Sequence, residues 1–417
     1  MIHDKVFNMI KNEAINAQLI ENWLEKSLGK EVFNPGLERL VPFLTAPKEL
    51  LQQKKVKIVT IAGTNGKGET AHFLAHLCKK QNISYTLWTS PHLLSVTERF
   101  NSSEGDISLE ILWDLLQNLK KEMDEQKSQL SYYEFLFVCF IRWVLLQKNE
   151  VLILEVGLGG RLDAVNFFSA DVVLLTSIAR DHMNILGSTL REILKEKLGV
   201  AREEKVLLSC LETSYLQDMT ALFCQQKKVS YKDLYQEGLL KKGESFSVCN
   251  RTLALEGLSY LLQKQLPKEN IQDSTFFSLG RGQEILYKEK TLFFYGSHNV
   301  DGVRKLIHFL HGQRYTDRKM KVDLAIVAFS MREEQELRAI LKILDKSREL
   351  FTEIIFTTFE HSKAMLLAPE VLDEFSFKYH ADWKKVLHAE TGKKNILITG
   401  SYYFVAEIQK QILANFK

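Results

Sequence analysis

A strand, a glycine turn and a helix follow one another directly between Lys55 and Thr70, and this stretch constrains the fold more than any other. Residues 57–62 form a short run of β-branched side chains, which is typical of a buried central strand. Three glycines come next, at Gly63, Gly66 and Gly68. Because glycine has no Cβ, such a turn can bend sharply and approach a ligand closely. The sequence therefore predicts a central strand that ends in a tight ligand-binding loop.

The turn is suited to bind an anion, most naturally a polyphosphate. Its N–H groups converge on one point, and the helix that follows adds its positive N-terminal end. Lys67 would supply the charge that reaches the terminal phosphates. The spacing departs from the strict G-x-x-x-x-G-K-[ST] pattern, because position 61 is Ile and Gly68 follows the lysine. Spacing alone therefore leaves a plain strand–turn–helix as an alternative.

Length and composition indicate a globular protein with two domains, because 417 residues are too many for one ordinary core. A formal charge of +3 gives no reason to expect nucleic acid or a membrane surface as a partner. No signal peptide is visible, and the apolar stretch 135–146 is too short to span a bilayer. Five cysteines without C-x-x-C spacing predict neither disulfides nor a zinc site, and we expect a cytoplasmic protein.

Strands alternate with helices along the chain, which predicts an α/β fold with largely parallel sheets and ligands at the carboxyl ends of the strands. The first series of predicted strands comprises 57–62, 85–89, 151–156, 171–176 and 206–209. A second series comprises 291–295, 321–327, 353–357 and 395–399. The pattern weakens between them. We expect an N-terminal domain over residues 1–275, a linker over 276–290 and a smaller C-terminal domain over 291–417.

Three residues that follow strands of the first series are candidate metal ligands. Glu155 ends an apolar strand, where a carboxylate is costly unless it is paired or bound to a cation. It is either a Mg²⁺ ligand or the partner of Arg161 or of a loop N–H group. Ser90 and His182 also end strands of the same predicted sheet, and each alone would suit a structural role. As a set beside a phosphate loop, the three favour a metal site.

Other positions leave functional and structural interpretations open. Lys197 lies near the end of a predicted helix, where lysines are usually solvated. Asp163 would contact a substrate or cap a turn. Asn250 and Arg281 lie in the region that joins the domains, and His298 follows a C-terminal strand. Surface residues would show the same pattern.

The sequence resembles folylpolyglutamate synthase / dihydrofolate synthase, a family of the Mur ligase superfamily. Matching motifs extend in order from about residue 35 to residue 406. They are Ala62-Gly-Thr-Asn-Gly-Lys-Gly68, Thr89-Ser-Pro-His-Leu93 with Glu98-Arg99, Tyr133-Glu134-Phe135, Glu155-VGLGGRLDAV-Asn166, Thr176-Ser-Ile178, Asp181-His182, Glu196-Lys197, Asn250, Gly280-Arg281, Gly296-Ser297-His298-Asn299 and Gly400-Ser401.

The resemblance implies Mur ligase architecture, with an N-terminal P-loop ATPase domain of parallel sheet and a Rossmann-like C-terminal domain that closes over ATP and binds glutamate. It implies a ligase of folate biosynthesis and one-carbon metabolism. ATP would phosphorylate the carboxylate of dihydropteroate or of a folate, and the amino group of L-glutamate would attack the acyl phosphate. ATP and Mg²⁺ are the implied cofactors, and we expect a monomer that acts on small molecules.

The matched positions imply roles for individual residues. Lys67, His182 and Lys197 would be catalytic, and Lys197 occupies the position of a lysine that the family carbamylates. Mg²⁺ ligands would be Ser90, Glu155 and His182. ATP would contact Gly63, Thr64, Asn65, Gly66, Lys67, Gly68, Asn250, Arg281, Tyr295 and His298. The pterin substrate would contact Ser131, Tyr132, Tyr133, Glu134, Leu162, Asp163 and Ala164.

Departures from the family pattern cluster at the nucleotide. Glu69 replaces a Ser or Thr, which is electrostatically adverse unless the carboxylate turns away or joins the metal shell. Tyr295 stands where Asp is usual, and Arg281 is followed by Gly rather than Phe. The segment 331–334 lacks the usual Asp-Lys-Asp. Phe137 replaces a small residue on the pterin side.

Three functions remain open at this point. The first is a folate–glutamate ligase that performs one or both synthase steps. The second is a relative that ligates an amino acid to another carboxylate, for which Phe137 leaves room. The third is a nucleotide- or pterin-binding protein without turnover, which Glu69 and Tyr295 favour. The presence of Lys67, Glu155 and Lys197 favours catalysis.

Overall fold

The structure is a computed structural model. It describes residues 16–29, 31, 34–93, 95–273, 281–314, 321–361, 363–367, 369–389 and 392–414. The chain divides into two compact units, Met1–Asp273 and Ser274–Lys417. None of the described helices is long and apolar enough to cross a bilayer.

The first unit alternates strands and helices. Its described helices are α1 (Ala17–Leu28), α2 (Val41–Gln53), α3 (Lys67–Lys80), α4 (Leu109–Gln126), α5 (Tyr132–Leu146), α6 (Met183–Leu186), α7 (Leu190–Leu198), α8 (Ser214–Gln226) and α9 (Phe246–Leu262). Its described strands are β1 (Lys57–Ala62), β2 (Tyr85–Trp88), β3 (Phe100–Ser102), β4 (Gly105–Asp106), β5 (Val151–Glu155), β6 (Val172–Leu175), β7 (Val206–Ser209) and β8 (Ser230–Asp233).

These strands form one sheet in the order β4-β3-β2-β5-β1-β6-β7-β8. From β2 to β8 the neighbours are parallel, and β3 and β4 add an antiparallel edge. β1 lies between β5 and β6, and Ile61 is opposite Glu155. The sheet therefore changes its winding direction beside β1, which is where doubly wound sheets bind ligands.

An aromatic cluster forms much of the core on one face of this sheet. Trp88 at the end of β2 lies 5.4 Å, between ring centroids, from Phe137 of α5. Phe137 is fully buried and also packs against Phe140 and Phe168. The apolar stretch 135–146 thus lies in a largely buried helix, and the ring of Phe137 belongs to the core.

The second unit repeats the α/β pattern at smaller size. Its described strands are β9 (Arg281–Tyr287), β10 (Lys290–Tyr295), β11 (Val322–Ala328), β12 (Phe351–Phe356), β13 (Lys378–Tyr379) and β14 (Asn395–Gly400). Its described helices are α10 (Val300–Arg314), α11 (Glu334–Lys346), α12 (Pro369–Asp373), α13 (Trp383–His388) and α14 (Tyr402–Ala414). The strand order is β13-β12-β11-β14-β10-β9, and only β9 pairs antiparallel.

The structure differs from the sequence-based expectation at the junction of the units. The compact units divide after Asp273, close to the expected end at residue 275. Part of the expected linker, 281–287, is instead strand β9, which pairs with β10. The weak hydrophobic pattern of this edge strand reflects its partial exposure, since Leu286 is 70% exposed.

Candidate functional site

The phosphate loop begins directly after β1 and requires glycine at two points. Gly63 has φ 147°, and a Cβ there would lie 1.9 Å from Thr176 Oγ1. Gly66 has φ 95° and precedes the first residue of α3. Both angles lie in the region that favours glycine. The loop is thus held open at the N-terminus of a 14-residue helix.

Hydrogen bonds to the segment after β6 fix the shape of this loop. The N–H of Thr64 donates to Ser177 O at 2.7 Å, and the N–H of Asn65 donates to Ser177 Oγ at 3.0 Å. Thr64 Oγ1 accepts from the N–H of Ala179 at 3.1 Å. Hydrogen bonds therefore join the phosphate loop to the segment 176–179 at the carboxyl ends of β1 and β6.

Two lysines converge on the carbonyl oxygen of Gly63. Lys67 Nζ donates to it at 3.1 Å, and Lys197 Nζ donates to it at 2.9 Å. Lys197, on α7, is 4% exposed. Burial, together with the nearby charge of Lys67, lowers the pKa of Lys197 to about 7, against the smaller opposing effects of Asp181 and Asp163. An amine in this state is partly neutral near pH 7 and can act as a nucleophile.

Two of the three candidate metal ligands are in contact. Glu155 is 2% exposed at the end of β5, and its Oε2 accepts from the N–H of Ser90 at 3.1 Å. Arg161 pairs with Glu196 at 3.0 Å rather than with Glu155, so the structure does not support that salt bridge. The N–H of Ser90 does donate to Glu155, so the hydrogen bond to a loop N–H group, the other structural role considered for this carboxylate, is present.

His182 lies on the other side of the phosphate loop, after β6. It precedes α6 with φ 50°, and its side chain is 53% exposed. The described residues contain no group of three His, Cys, Asp or Glu side chains that could hold a metal by themselves. Mg²⁺ is usually bound through one or two carboxylates, with waters and substrate phosphates as further ligands. A buried Glu155 beside a phosphate loop, with a hydroxyl residue next to it, fits that mode of binding.

The carboxylate of Glu69 turns away from the loop and toward α9. Ser247 Oγ donates to its Oε1 at 2.5 Å, and Asn250 Nδ2 donates to its Oε2 at 2.8 Å. Arg251 Nε lies 3.8 Å from Oε1. Position 69 is therefore charge-compensated inside the unit. Asn250 also lies against the loop, since a Cβ on Gly66 would be 2.3 Å from Asn250 Oδ1.

The residues predicted to contact the pterin bond mainly to one another. Ser131 caps α5 in a capping box with Glu134, whose Oε1 accepts from Arg39 at 2.7 Å. The Tyr133 hydroxyl donates to Asp163 Oδ1 at 3.1 Å and accepts from Trp88 Nε1. Tyr132 is buried beneath the Arg99 guanidinium.

Asp163 caps the short 3₁₀ helix Ala164–Phe167. Of the two roles that the sequence left open for it, this is the capping of a turn. It accepts from the N–H groups of Leu158 and Val165 and is 3% exposed. Burial raises the pKa of this carboxyl group to about 6, against the opposing effect of these bonds. Of the predicted 162–164 segment, Ala164 is buried and Leu162 is half-buried.

In the second unit, predicted site residues gather around the carboxyl end of β10, beside which the antiparallel strand β9 begins. His298 follows β10, its ring centroid lies 4.9 Å from that of Tyr402, and its carbonyl accepts from Arg332. Tyr295 packs against Phe309 with ring centroids 5.6 Å apart. Its backbone pairs with that of Arg281 across β9 and β10. The side chain of Arg281 lies outside the described atoms.

Sequence reasoning did not find the partners of Glu69. Ser247, Asn250 and Arg251 stand at i, i+3 and i+4 on α9, so they share one helix face. That spacing is visible in the sequence. Its meaning depends on contact between α9 and α3, which no local pattern reveals.

Comparison with known proteins gives concordant results. The Mur ligase middle domain matches residues 61–232. The dihydrofolate synthase/folylpolyglutamate synthase of Bacillus subtilis is 27% identical over 433 residues, covering 94% of this chain and 98% of the relative. Within shorter segments the identity is higher: the Escherichia coli protein of the same name is 33% identical over 200 residues, 47% of this chain and 46% of the relative.

Solved structures share the fold of the whole chain. E. coli FolC in complex with DHPP and ADP has a TM-score of 0.79 at 23% identity, covering 97% of this chain and 99% of its own. A bifunctional folylpolyglutamate synthase/dihydrofolate synthase with Mn, AMPPNP and L-glutamate bound has a TM-score of 0.76 at 24% identity, covering 94% and 98%. At these identities, the structural likeness shows the two-domain α/β fold.

Proposed function

We propose that this chain, which belongs to the folylpolyglutamate synthase / dihydrofolate synthase family of the Mur ligases, joins L-glutamate to dihydropteroate or to the glutamate tail of a folate. The γ-phosphoryl group of ATP passes to a substrate carboxylate oxygen, which gives an acyl phosphate and ADP. The amino nitrogen of L-glutamate then attacks the acyl carbon, and inorganic phosphate leaves as the amide bond forms.

The observation that carries this proposal is the convergence of Lys67 and Lys197 on Gly63 O within a glycine-shaped phosphate loop. Phosphoryl transfer depends on positioning and on neutralising the charge of the phosphates. Lys67 Nζ would neutralise charge, and the N–H groups at the start of α3 would position the phosphates, since those of Thr64 and Asn65 already donate to Ser177. The helix dipole of α3 adds to them, because its N-terminus lies at the loop.

Ser90, Glu155 and His182 are the residues that would hold Mg²⁺ in this reaction. The ion would supply charge neutralisation along the phosphates. Glu155 is suited to this role because it is buried beside β1 and its Oε2 already orients the Ser90 backbone. Ser90 and His182 stay proposed ligands on the strength of the family motifs that contain them.

Lys197 is proposed to carry a carbamate. The neutral amine attacks CO₂, an N–C bond forms, and the nitrogen loses a proton, so that a buried cation becomes an anion. A pKa of about 7 supplies the neutral amine at physiological pH. The resulting carboxylate would lie at the phosphate loop, where it could help to hold a second cation.

The remaining assignments follow from the motifs. ATP is proposed to contact residues 63–68, Asn250, Arg281, Tyr295 and His298. The pterin substrate is proposed to lie against residues 131–134 and 162–164, and glutamate is proposed to bind the second unit. We also propose a cytoplasmic monomer; the five cysteines, all buried and free of disulfides, suit a reducing compartment.

A binding protein without turnover is less well supported. Its main argument was the charge of Glu69, and that carboxylate is compensated by Arg251 and two hydrogen-bond donors on α9. Phe137, which suggested another substrate, is part of the aromatic core.

Release of ADP by the purified protein tests the proposal. The assay contains Mg-ATP and L-glutamate with either dihydropteroate or tetrahydrofolate, and each component is omitted in turn. We expect release that requires both glutamate and one pterin, which also identifies the synthase step. Nucleotide binding without ADP release in any mixture would favour the binding protein. ADP release that occurs but that neither pterin increases would indicate another carboxylate substrate.

A further inference from the structure

Asn250 presents a buried amide to the phosphate loop. It is 2% exposed on α9, and its Oδ1 is the atom nearest to a Cβ built on Gly66, at 2.3 Å. Within the described part of the chain, this oxygen accepts no hydrogen bond, whereas Nδ2 donates to Glu69. This oxygen is not among the buried polar atoms that lack a partner, so it keeps contact with solvent, and a ligand bound at the loop can reach it.

The carboxylate of Glu69 determines which way this amide faces. A carboxylate only accepts hydrogen bonds, so the Asn250 group 2.8 Å from Oε2 must be the NH₂ end. The carbonyl end is then directed at Gly66. A serine or threonine at position 69 could donate or accept, and it would leave both amide orientations available.

Glu69 is itself held in this orientation. Ser247 Oγ donates to Oε1, the carboxylate oxygen that Asn250 does not use, and the positive charge of Arg251 lies 3.8 Å from it. The guanidinium of Arg251 also stacks over Phe73 of α3, 5.4 Å from the ring centroid. The carboxylate is thereby fixed between α3 and α9, and its charge is offset on the side away from the loop.

We propose that Glu69 is a positioning residue that locks Asn250 as a hydrogen-bond acceptor for the nucleotide bound at the phosphate loop. This inference rests on the proposed function, because it takes a nucleotide as the ligand. The nucleotide group that meets Asn250 is then a donor, either the exocyclic amino group of the base or a ribose hydroxyl. A phosphate oxygen is excluded there, because two acceptors repel each other.

Calorimetric binding of Mg-ATP to the full-length protein, without the pterin, tests this role. We expect E69S to weaken binding about two- to tenfold: about twofold if the amide only becomes free to flip, and up to tenfold, the value of one hydrogen bond, if its NH₂ end then faces the ligand. E69Q should bind nearly as well as the wild type, because its amide oxygen can still accept from Asn250 Nδ2. E256S is the matched control, because Glu256 on α9 accepts from Gln265 rather than from Asn250, and we expect unchanged affinity.

A double-mutant cycle separates positioning from a general structural effect. If Glu69 acts through Asn250, E69S should cost nothing further in the N250A background. An equal loss in both backgrounds would overturn the inference, as would tighter binding by both E69S and E69Q, which would make Glu69 merely an electrostatic handicap. Thermal unfolding of each variant checks that the loop remains folded.

Nucleotide analogues identify the donor. Loss of discrimination between ATP and inosine triphosphate in E69S would assign the base amino group, and loss of discrimination against 2′- or 3′-deoxy-ATP would assign a hydroxyl. Unchanged discrimination against all of these would overturn the acceptor role. If the wild type binds no nucleotide at all, the proposed function fails; if it binds and E69S binds equally well, only this inference fails.

Discussion

At the residue scale, Lys197 places an ionisable amine in a buried position, and burial disfavours the charged form of that amine. Its amine is buried, and folding lowers its pKa from 10.5 to about 7. Between these values the unfolded chain binds more protons than the folded one, so this residue makes stability rise as pH increases from about 7 to 10. A group that costs stability yet stays beside a phosphate loop is expected to serve the chemistry.

The variant K197M should therefore be inactive but more stable than the wild type. At pH 7 we expect a gain on the order of a few kcal/mol, less about 1 kcal/mol for the lost bond to Gly63. The gain should shrink as pH approaches 10. Denaturant unfolding across this range measures it, with K195M, an exposed lysine on the same helix, as the neutral control. Equal stability of K197M and wild type at pH 7 would contradict this account.

Glu155 and Glu150 allow a matched test of the proposed metal ligand, because Glu155 is the last residue of β5 and Glu150 directly precedes its first. Glu150 is exposed and accepts from Ser84 at the amino end. We expect E155A to abolish Mg²⁺-dependent turnover, whereas E150A should retain it and lose at most about 1 kcal/mol of stability. Steady-state ADP release over a range of Mg²⁺ concentrations measures both. Turnover by E155A at wild-type rate would remove Glu155 from the metal site.

Individual side chains mark the limit of prediction from sequence. The glycine turn, and the place of Lys67 at the start of the helix that follows it, could be predicted because they depend on local sequence. The direction of Glu69 could not, because its partners Ser247 and Asn250 are 178 and 181 residues away. The burial of Phe137 in an aromatic core also depends on contacts between distant segments, such as that with Trp88 of β2.

At the scale of elements, the loop after β1 depends on the segment after β6. G63A would place a Cβ 1.9 Å from Thr176 Oγ1 in a backbone conformation that alanine rarely adopts. We expect a loss of about 2–4 kcal/mol in stability together with weaker nucleotide binding. G312A is the control, since that helical position has open space and alanine there should be neutral or stabilising. Unchanged unfolding of G63A would show that the loop is more adaptable than described.

Elements were predictable where the hydrophobic pattern is strong. The central strands β1, β5 and β6 lie within a residue or two of their predicted bounds. The short strands β3 and β4 have three and two residues and carry too little pattern to detect. Strand β9 was assigned to the linker because edge strands are only partly buried and alternate weakly.

At the scale of the whole molecule, each unit has its own sheet and its own apolar core. No strand is shared between the two sheets in the described residues. Phe137 lies in the core of the first unit and Phe356 in that of the second. We expect F137A and F356A each to cost about 3–5 kcal/mol, in separate calorimetric transitions. A single transition that both substitutions shift equally would contradict independent cores.

The central claim, activation of a substrate carboxylate by ATP and its ligation to glutamate, can be tested by following oxygen. Dihydropteroate labelled with oxygen-18 in its carboxylate is incubated with Mg-ATP and L-glutamate, and the phosphate released is analysed by mass spectrometry. An acyl phosphate predicts one labelled oxygen in the inorganic phosphate for each amide bond formed. Unlabelled phosphate alongside amide product, or label in AMP instead, would contradict the account.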